Sequence, residues 1–152
     1  MNLIYRLATE SDLAIIVQLL ATDALGATRE NFQLPLSPAY RQAFEAILRD
    51  PQQELTVVEF QSEIIATFQL SFIQYLTYQG GLRAQLEAVR VKSTWRGQGV
   101  GTRLLEHAVQ RATAKGAHLL QLTTDKKRPA AKQFYEALGF TASHEGMKLL
   151  LK

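Results

Sequence analysis

Two periodicities alternate along this chain. Leu13, Ile16, Val17 and Leu20 recur at helical spacing and make one apolar face, and Tyr40, Phe44, Ile47 and Leu48 do the same further on. Shorter stretches with strand patterning lie around them. Leu3 to Leu7 reads as a first strand. Glu54 to Phe60 and Ile64 to Leu76 read as two more, joined by a tight turn near Gln61-Ser62-Glu63. Gln79-Gly80-Gly81 then turns the chain into a strand over 82–92, completing an antiparallel meander. In that last strand Val89 and Val91 are β-branched, and Leu86 and Ala88 supply the other face. Val100, Leu104, Leu105, Ala108, Val109 and Ala112 form the broad stripe of a helix from Gly99 to Lys115, which Gly116 stops.

End signals sharpen these elements. Thr9 with Asp12 three residues later starts the first helix, because the hydroxyl can cap an orphan N–H and the carboxylate suits the first turn. Ser37-Pro38 places a capping oxygen and a pre-set φ at the start of the second, and Asp50-Pro51 ends it. Residues 21–37 lack periodicity and hold Asp23, Gly26, Glu30 and Pro35, as a substrate-facing loop or a plain connection would. Ala117 to Thr123 is mostly apolar and suits the sheet interior; parallel to strand 82–92, it closes a βαβ unit. Pro129 opens a helix with Ala131, Phe134, Tyr135 and Leu138 on its apolar side. Gly139 ends it, and Phe140 begins a last strand continuing through Met147 to Leu151. No repeat or linker is visible, so residues 1–152 are expected to form one α+β domain with a mixed sheet flanked by four helices.

Composition removes several classes of function. The 152 residues are 47% hydrophobic and 20% charged, an ordinary mix for a domain that builds its core without crosslinks. There is no cysteine, which excludes disulfides, thiolate metal sites and a cysteine nucleophile. His107, His118 and His144 lack metal-ligand spacing, so no metal is expected. Net charge is +3, but the lysines and arginines are dispersed, with one short cluster at Lys126-Lys127-Arg128. That is a solvated basic surface that can serve an anionic cofactor rather than a nucleic-acid footprint. No apolar run approaches a membrane span and the first residues lack a signal-peptide pattern, so the expected compartment is the cytoplasm.

The candidate chemistry lies where strand 82–92 runs into the long helix. Arg96, Gly97, Gln98, Gly99, Val100 and Gly101 put three glycines at alternate positions just before a helix start. Glycines admit positive φ and close ligand approach, and a helix N-terminus offers free N–H groups and a positive dipole end. Together they suit a phosphate or pyrophosphate. A Walker loop is absent, and the dinucleotide fingerprint fails because its third glycine falls on Thr102. A tight strand-to-helix turn with no ligand is the alternative.

The spacing that fits, Arg-x-x-Gly-x-Gly from Arg96 to Gly101, resembles the acyl-CoA pyrophosphate loop of the GNAT N-acetyltransferase superfamily. Phe134-Tyr135-Glu136-Ala137-Leu138-Gly139-Phe140 resembles the Phe-Tyr-x-x-x-Gly-Phe segment of that family, and the element order matches its fold over essentially the whole chain. Glu87, the run Leu122 to Arg128 and the short ending look closest to small-molecule amine acetyltransferases, such as those acting on aminoalkylphosphonates and amino-sugar phosphates. The family often carries Asn where this chain has Arg128, which leaves the cofactor contact of that helix open.

The resemblance implies acetyl-CoA as cosubstrate and a small-molecule amine as acceptor. It implies a bulged central strand whose free backbone groups at Val89 and Val91 hold the pantetheine arm, with the Val91 N–H polarising the thioester carbonyl. The pyrophosphate rests on the amides of Arg96, Gly97, Gln98, Gly99, Val100 and Gly101, with Thr102 near. Tyr135 is the general acid for the thiolate, or else a core tyrosine. Glu87 is the base, or else a surface carboxylate at the splayed edge. Trp95 reads as a packing residue. The apolar run Leu149 to Leu151 points to a homodimer formed through the C-terminal strand. A non-catalytic acyl-CoA sensor and a protein or peptide acetyltransferase are the alternative functions.

Overall fold

The computed structural model describes residues 1–152, which form two compact units, Met1–Gln121 and Leu122–Lys152. The first holds a five-stranded mixed sheet in the order β1-β2-β3-β4-β5, built from β1 (Ile4–Leu7), β2 (Gln53–Phe60), β3 (Glu63–Gln74), β4 (Leu82–Val91) and β5 (Leu119–Gln121). The first four strands are antiparallel neighbours; β5 runs parallel to β4. The two-residue turn between β2 and β3 places Gln61 and Ser62 at φ 50° and 65°, the left-handed pair that matches the strand twist.

Helices cover both faces of this sheet. On one side lie α1 (Leu13–Ala21), the single turn α2 (Gly26–Arg29) and α3 (Pro38–Arg49). Leu13, Ile16, Val17 and Phe44 pack there against Leu55 and Val57. On the other lies α5 (Val100–Ala114), which buries Val100, Leu104, Leu105, Ala108 and Ala112. Its Arg111 pairs with Glu54 at 2.6 Å, and His107 meets Phe68 edge-on while stacking on Tyr5 at 4.1 Å. Burial, with Arg111 adding to it, lowers the His107 pKa.

The start of α1 forms as its signals require. The Thr9 N–H donates to the Asp12 carboxylate at 2.7 Å through one turn of 3₁₀ helix, Glu10–Asp12. The same buried carboxylate takes two bonds from Arg6, at 2.7 and 2.9 Å. The Arg6 guanidinium, foremost, holds the Asp12 pKa down at about 2. Arg6 also grips Glu59 of β2, so the edge strand and α1 are tied to the sheet by one cation. Ser37 caps α3 and accepts from the Ala39 N–H at 3.4 Å.

Two expectations for this unit are corrected. The segment 21–37 is not structureless: α2 forms because the Asp23 carboxylate accepts from the Gly26 N–H, and Gly26 packs so tightly that a Cβ would lie 1.9 Å from the Leu20 carbonyl. The expected strand at 117–123 shrinks to Leu119–Gln121, since it pairs with β4 over three residues only. Between β3 and β4 the chain makes a turn, α4 (Thr77–Gly80), whose Tyr78 and Gln79 are left-handed.

The second unit holds one helix, α6 (Pro129–Ala137), opening on Pro129. Gly139 at φ 95° follows it, and the Phe140 N–H closes back on the Tyr135 carbonyl at 3.1 Å. The expected last strand does not form: no residue after Ala137 is in a strand, and Met147, Leu149, Leu150 and Leu151 are 84–94% exposed. A strand needs a neighbour's N–H and C=O groups, and an apolar run alone does not supply them.

Candidate active site

The centre of the first unit is a bulge in β4. Thr67 of β3 pairs with Arg90, yet Gln69 pairs with Glu87, so Phe68 alone faces both Ala88 and Val89. Ala88 takes φ 55°, a left-handed conformation costing a non-glycine residue about 1–2 kcal/mol. The extra residue overturns the simple alternation expected along this strand. Before it, the Leu82 carbonyl accepts from the His118 N–H at 2.9 Å, so even-numbered peptides face β5. After it, the Lys92 N–H donates to the Ile65 carbonyl at 2.8 Å, so even-numbered peptides face β3. The peptides of Val89 and Val91 therefore turn toward the β5 side.

On that side nothing in β5 meets them. Pairing between β4 and β5 covers Arg83–Gln85 and Leu119–Gln121 and then stops. Beyond this fork the free edge of β4 presents backbone groups. The Val89 carbonyl accepts from Arg90 at 2.8 Å and the Val91 carbonyl from the Arg96 Nε at 3.0 Å, while both N–H groups face the same gap.

Directly after this edge comes the glycine loop. Ser93–Trp95 makes one 3₁₀ turn, Trp95 packs edge-on against Phe60 at 5.1 Å, and Gly97 and Gly99 take φ 73° and 82°. Gly99 is the N-cap of α5 with no side chain capping it, and the first turn carries no acidic residue. The first intrahelical bond runs from the Arg103 N–H to the Gly99 carbonyl, at 3.2 Å. The N–H groups of Val100, Gly101 and Thr102 are thus orphan donors at the positive end of a 15-residue helix. The Val100 side chain is buried, so that residue offers backbone only. This donor set fits a pyrophosphate.

Glu87 lies just past the fork, exposed, and accepts from the Gln85 Nε2 at 3.0 Å. Arg90, on the same face beyond the bulge, is paired with Asp23 at 3.1 Å. This nearly buried pair ties the segment after α1 to the bulged strand, and the sequence reading missed it. The signal available was Asp23 itself, an acid three residues before Gly26 in a mostly apolar stretch. The second missed group is Gln85 with Gln121, visible only as polar residues Arg83, Gln85 and Glu87 alternating with Ala84 and Leu86. In the second unit Tyr135 is half-buried on α6, with Phe134 and Phe140 edge-on at 5.2 and 5.7 Å.

The first unit thus offers a bulged strand with a free edge, running straight into an uncapped helix N-terminus behind a glycine loop. The acetyltransferase (GNAT) family pattern matches residues 20–140, and the chain belongs to that family. It is similar to the aminoalkylphosphonate N-acetyltransferase of Salmonella typhimurium, 30% identical over 70% of this chain and 68% of the relative. It also resembles the L-methionine sulfoximine/L-methionine sulfone acetyltransferase of Pseudomonas paraeruginosa, 28% identical over 80% of this chain and 70% of that one. Among solved structures, one described as a transcriptional regulator from Bacillus halodurans matches with TM-score 0.95 and 49% identity, over 99% of this chain and all of that one. The family and its relatives make this chain an acetyltransferase.

Proposed function

We propose that this chain transfers an acetyl group from acetyl-CoA to a primary amine of a small molecule, by direct attack in a ternary complex in the cytoplasm. The observation that carries the reading is the phase change at Ala88, which frees the β4 edge immediately ahead of the helix that can take a pyrophosphate. The pyrophosphate rests on the amides from Arg96 to Thr102. The pantetheine arm lies along Val89 and Val91, and the Val91 N–H polarises the thioester carbonyl. Glu87 takes the proton of the attacking ammonium, directly or through a water. The nitrogen–carbon bond forms as the carbon–sulfur bond breaks, Tyr135 protonates the departing thiolate, and the second proton shed by the acylated nitrogen restores the tyrosine hydroxyl through solvent. The relatives named above supply the acceptor class, small amines.

The test is thiol release from acetyl-CoA across a panel that includes aminoalkylphosphonates, amino-sugar phosphates and amino-acid analogues. Thiol is expected only when an amine is present. A second reading, an acyl-CoA sensor without turnover, draws support from the regulator described for Bacillus halodurans. It predicts thermal stabilisation by acetyl-CoA and no thiol release with any amine, an outcome that would sink the enzymatic reading.

The same proposal includes a homodimer formed through the C-terminal segment. Four exposed apolar side chains at 147–151 and a sheet that ends on the open edge of β5 are complementary needs that a second copy meets. Light scattering is expected to give about twice the 17.0 kDa of one chain. A monomer mass at micromolar concentration excludes a stable dimer, and a dimer that survives removal of residues 147–152 moves the interface elsewhere.

A further inference from the structure

We infer that Gln85 and Gln121 form an amide relay that positions the Glu87 carboxylate for its proton transfer. The inference rests on the reading of Glu87 as the base. The Gln121 Nε2 donates to the Gln85 Oε1 at 2.8 Å, and the Gln85 Nε2 donates to the Glu87 Oε1 at 3.0 Å. Gln85 and Gln121 are the last registered pair of β4 and β5. The relay therefore spans the fork itself, with its backbone rung behind it and the free edge ahead. Gln85 and Glu87, two apart on one strand, share a face.

The chemistry of the three groups fixes their order. An ionised carboxylate only accepts, so the Gln85 amide must turn its NH₂ toward Glu87. Its oxygen then faces β5 and requires a donor, which Gln121 supplies. A competing donor exists and is diverted: Ser71, opposite Gln85 on β3, gives its hydroxyl to the Gln53 Oε1 at 2.7 Å instead. Gln69, opposite Glu87, likewise donates to Gln53 at 2.9 Å. Glu87 is exposed and long, with many rotamers open to it. One oxygen held by the relay narrows that choice and leaves the other for the incoming ammonium or its water. Both glutamines are half-buried, where a donor to a carboxylate is worth more than in open water.

A double-mutant cycle on the full chain tests this. Gln85→Leu and Gln121→Leu are each expected to lower kcat by about 10- to 100-fold, with the KM for acetyl-CoA unchanged. In a Glu87→Gln background the same changes are expected to cost nothing further, because the group they position is gone. A purely structural role would lower activity equally in both backgrounds, and that result overturns the relay. Wild-type kcat in Gln85→Leu overturns it too. Gln121→Leu, at the far end, serves if Gln85→Leu fails to fold. The underlying reading fails separately: a Glu87→Gln protein with wild-type kcat removes the base, whatever the glutamines do.

Discussion

Gly99→Val is expected to abolish acetyl-CoA binding while leaving the chain folded. The φ of 82° at Gly99 lies where a β-branched residue is strongly disfavoured, so valine must drag the loop out of its present shape. A Cβ there would meet no atom within 4 Å, so no packing in the protein itself opposes the side chain. On the proposed function, a side chain in that open space competes with the pyrophosphate. Loss of two amide bonds to a charged phosphate corresponds to about 3–6 kcal/mol, or ~10²- to 10⁴-fold in affinity. The helix behind the loop stays anchored by buried Val100, Leu104 and Leu105. Isothermal titration with acetyl-CoA, beside a thermal melt, reads both halves of the expectation. Unchanged affinity would rule the loop out as the binding site.

Tyr135→Phe carries the second large effect. The ring packs edge-on against Phe134 and Phe140, and phenylalanine preserves both contacts. Only the hydroxyl is lost. If that hydroxyl protonates the thiolate, kcat falls by about 10²- to 10⁴-fold while affinity for acetyl-CoA holds. The deficit should shrink with an acyl donor whose thiol leaves readily without a proton. Wild-type turnover across the full pH range would reduce Tyr135 to a packing residue.

The elements most legible in the sequence were those whose causes are local. The start of α1 at Thr9 and Asp12, the Ser37-Pro38 cap and the stripe of α5 each depend on residues within a few positions of one another, and each forms where it was read, except that Val109 of the stripe is exposed. The glycine loop was equally readable, because its unusual backbone leaves glycine as its mark. The bulge left no such mark in this chain. Its left-handed residue is Ala88, which looks like any small strand residue. The family resemblance anticipated a bulge; the residues alone did not locate it. Long-range pairs were invisible for the same reason. Nothing near Asp23 announces Arg90, and nothing near Gln85 announces Gln121, until the sheet register is known. The last strand failed in the opposite direction. Its apolar residues were legible, but the neighbour that a strand requires is not written in the strand.

The bulge at Ala88 also sets what kinds of change this strand can survive. One additional residue shifts the reading frame of β4, so that side chains and peptides beyond it exchange roles with those before it. Substitutions within 82–91 alter single groups and leave that frame intact. A one-residue deletion is a different event. It would swing the Val89 and Val91 peptides back toward β3, turn Arg90 away from Asp23 and present the wrong edge to any ligand, while every amino acid named as functional was still present. The strand is therefore punctuated as well as spelled, and in close relatives its length should drift far less than its composition.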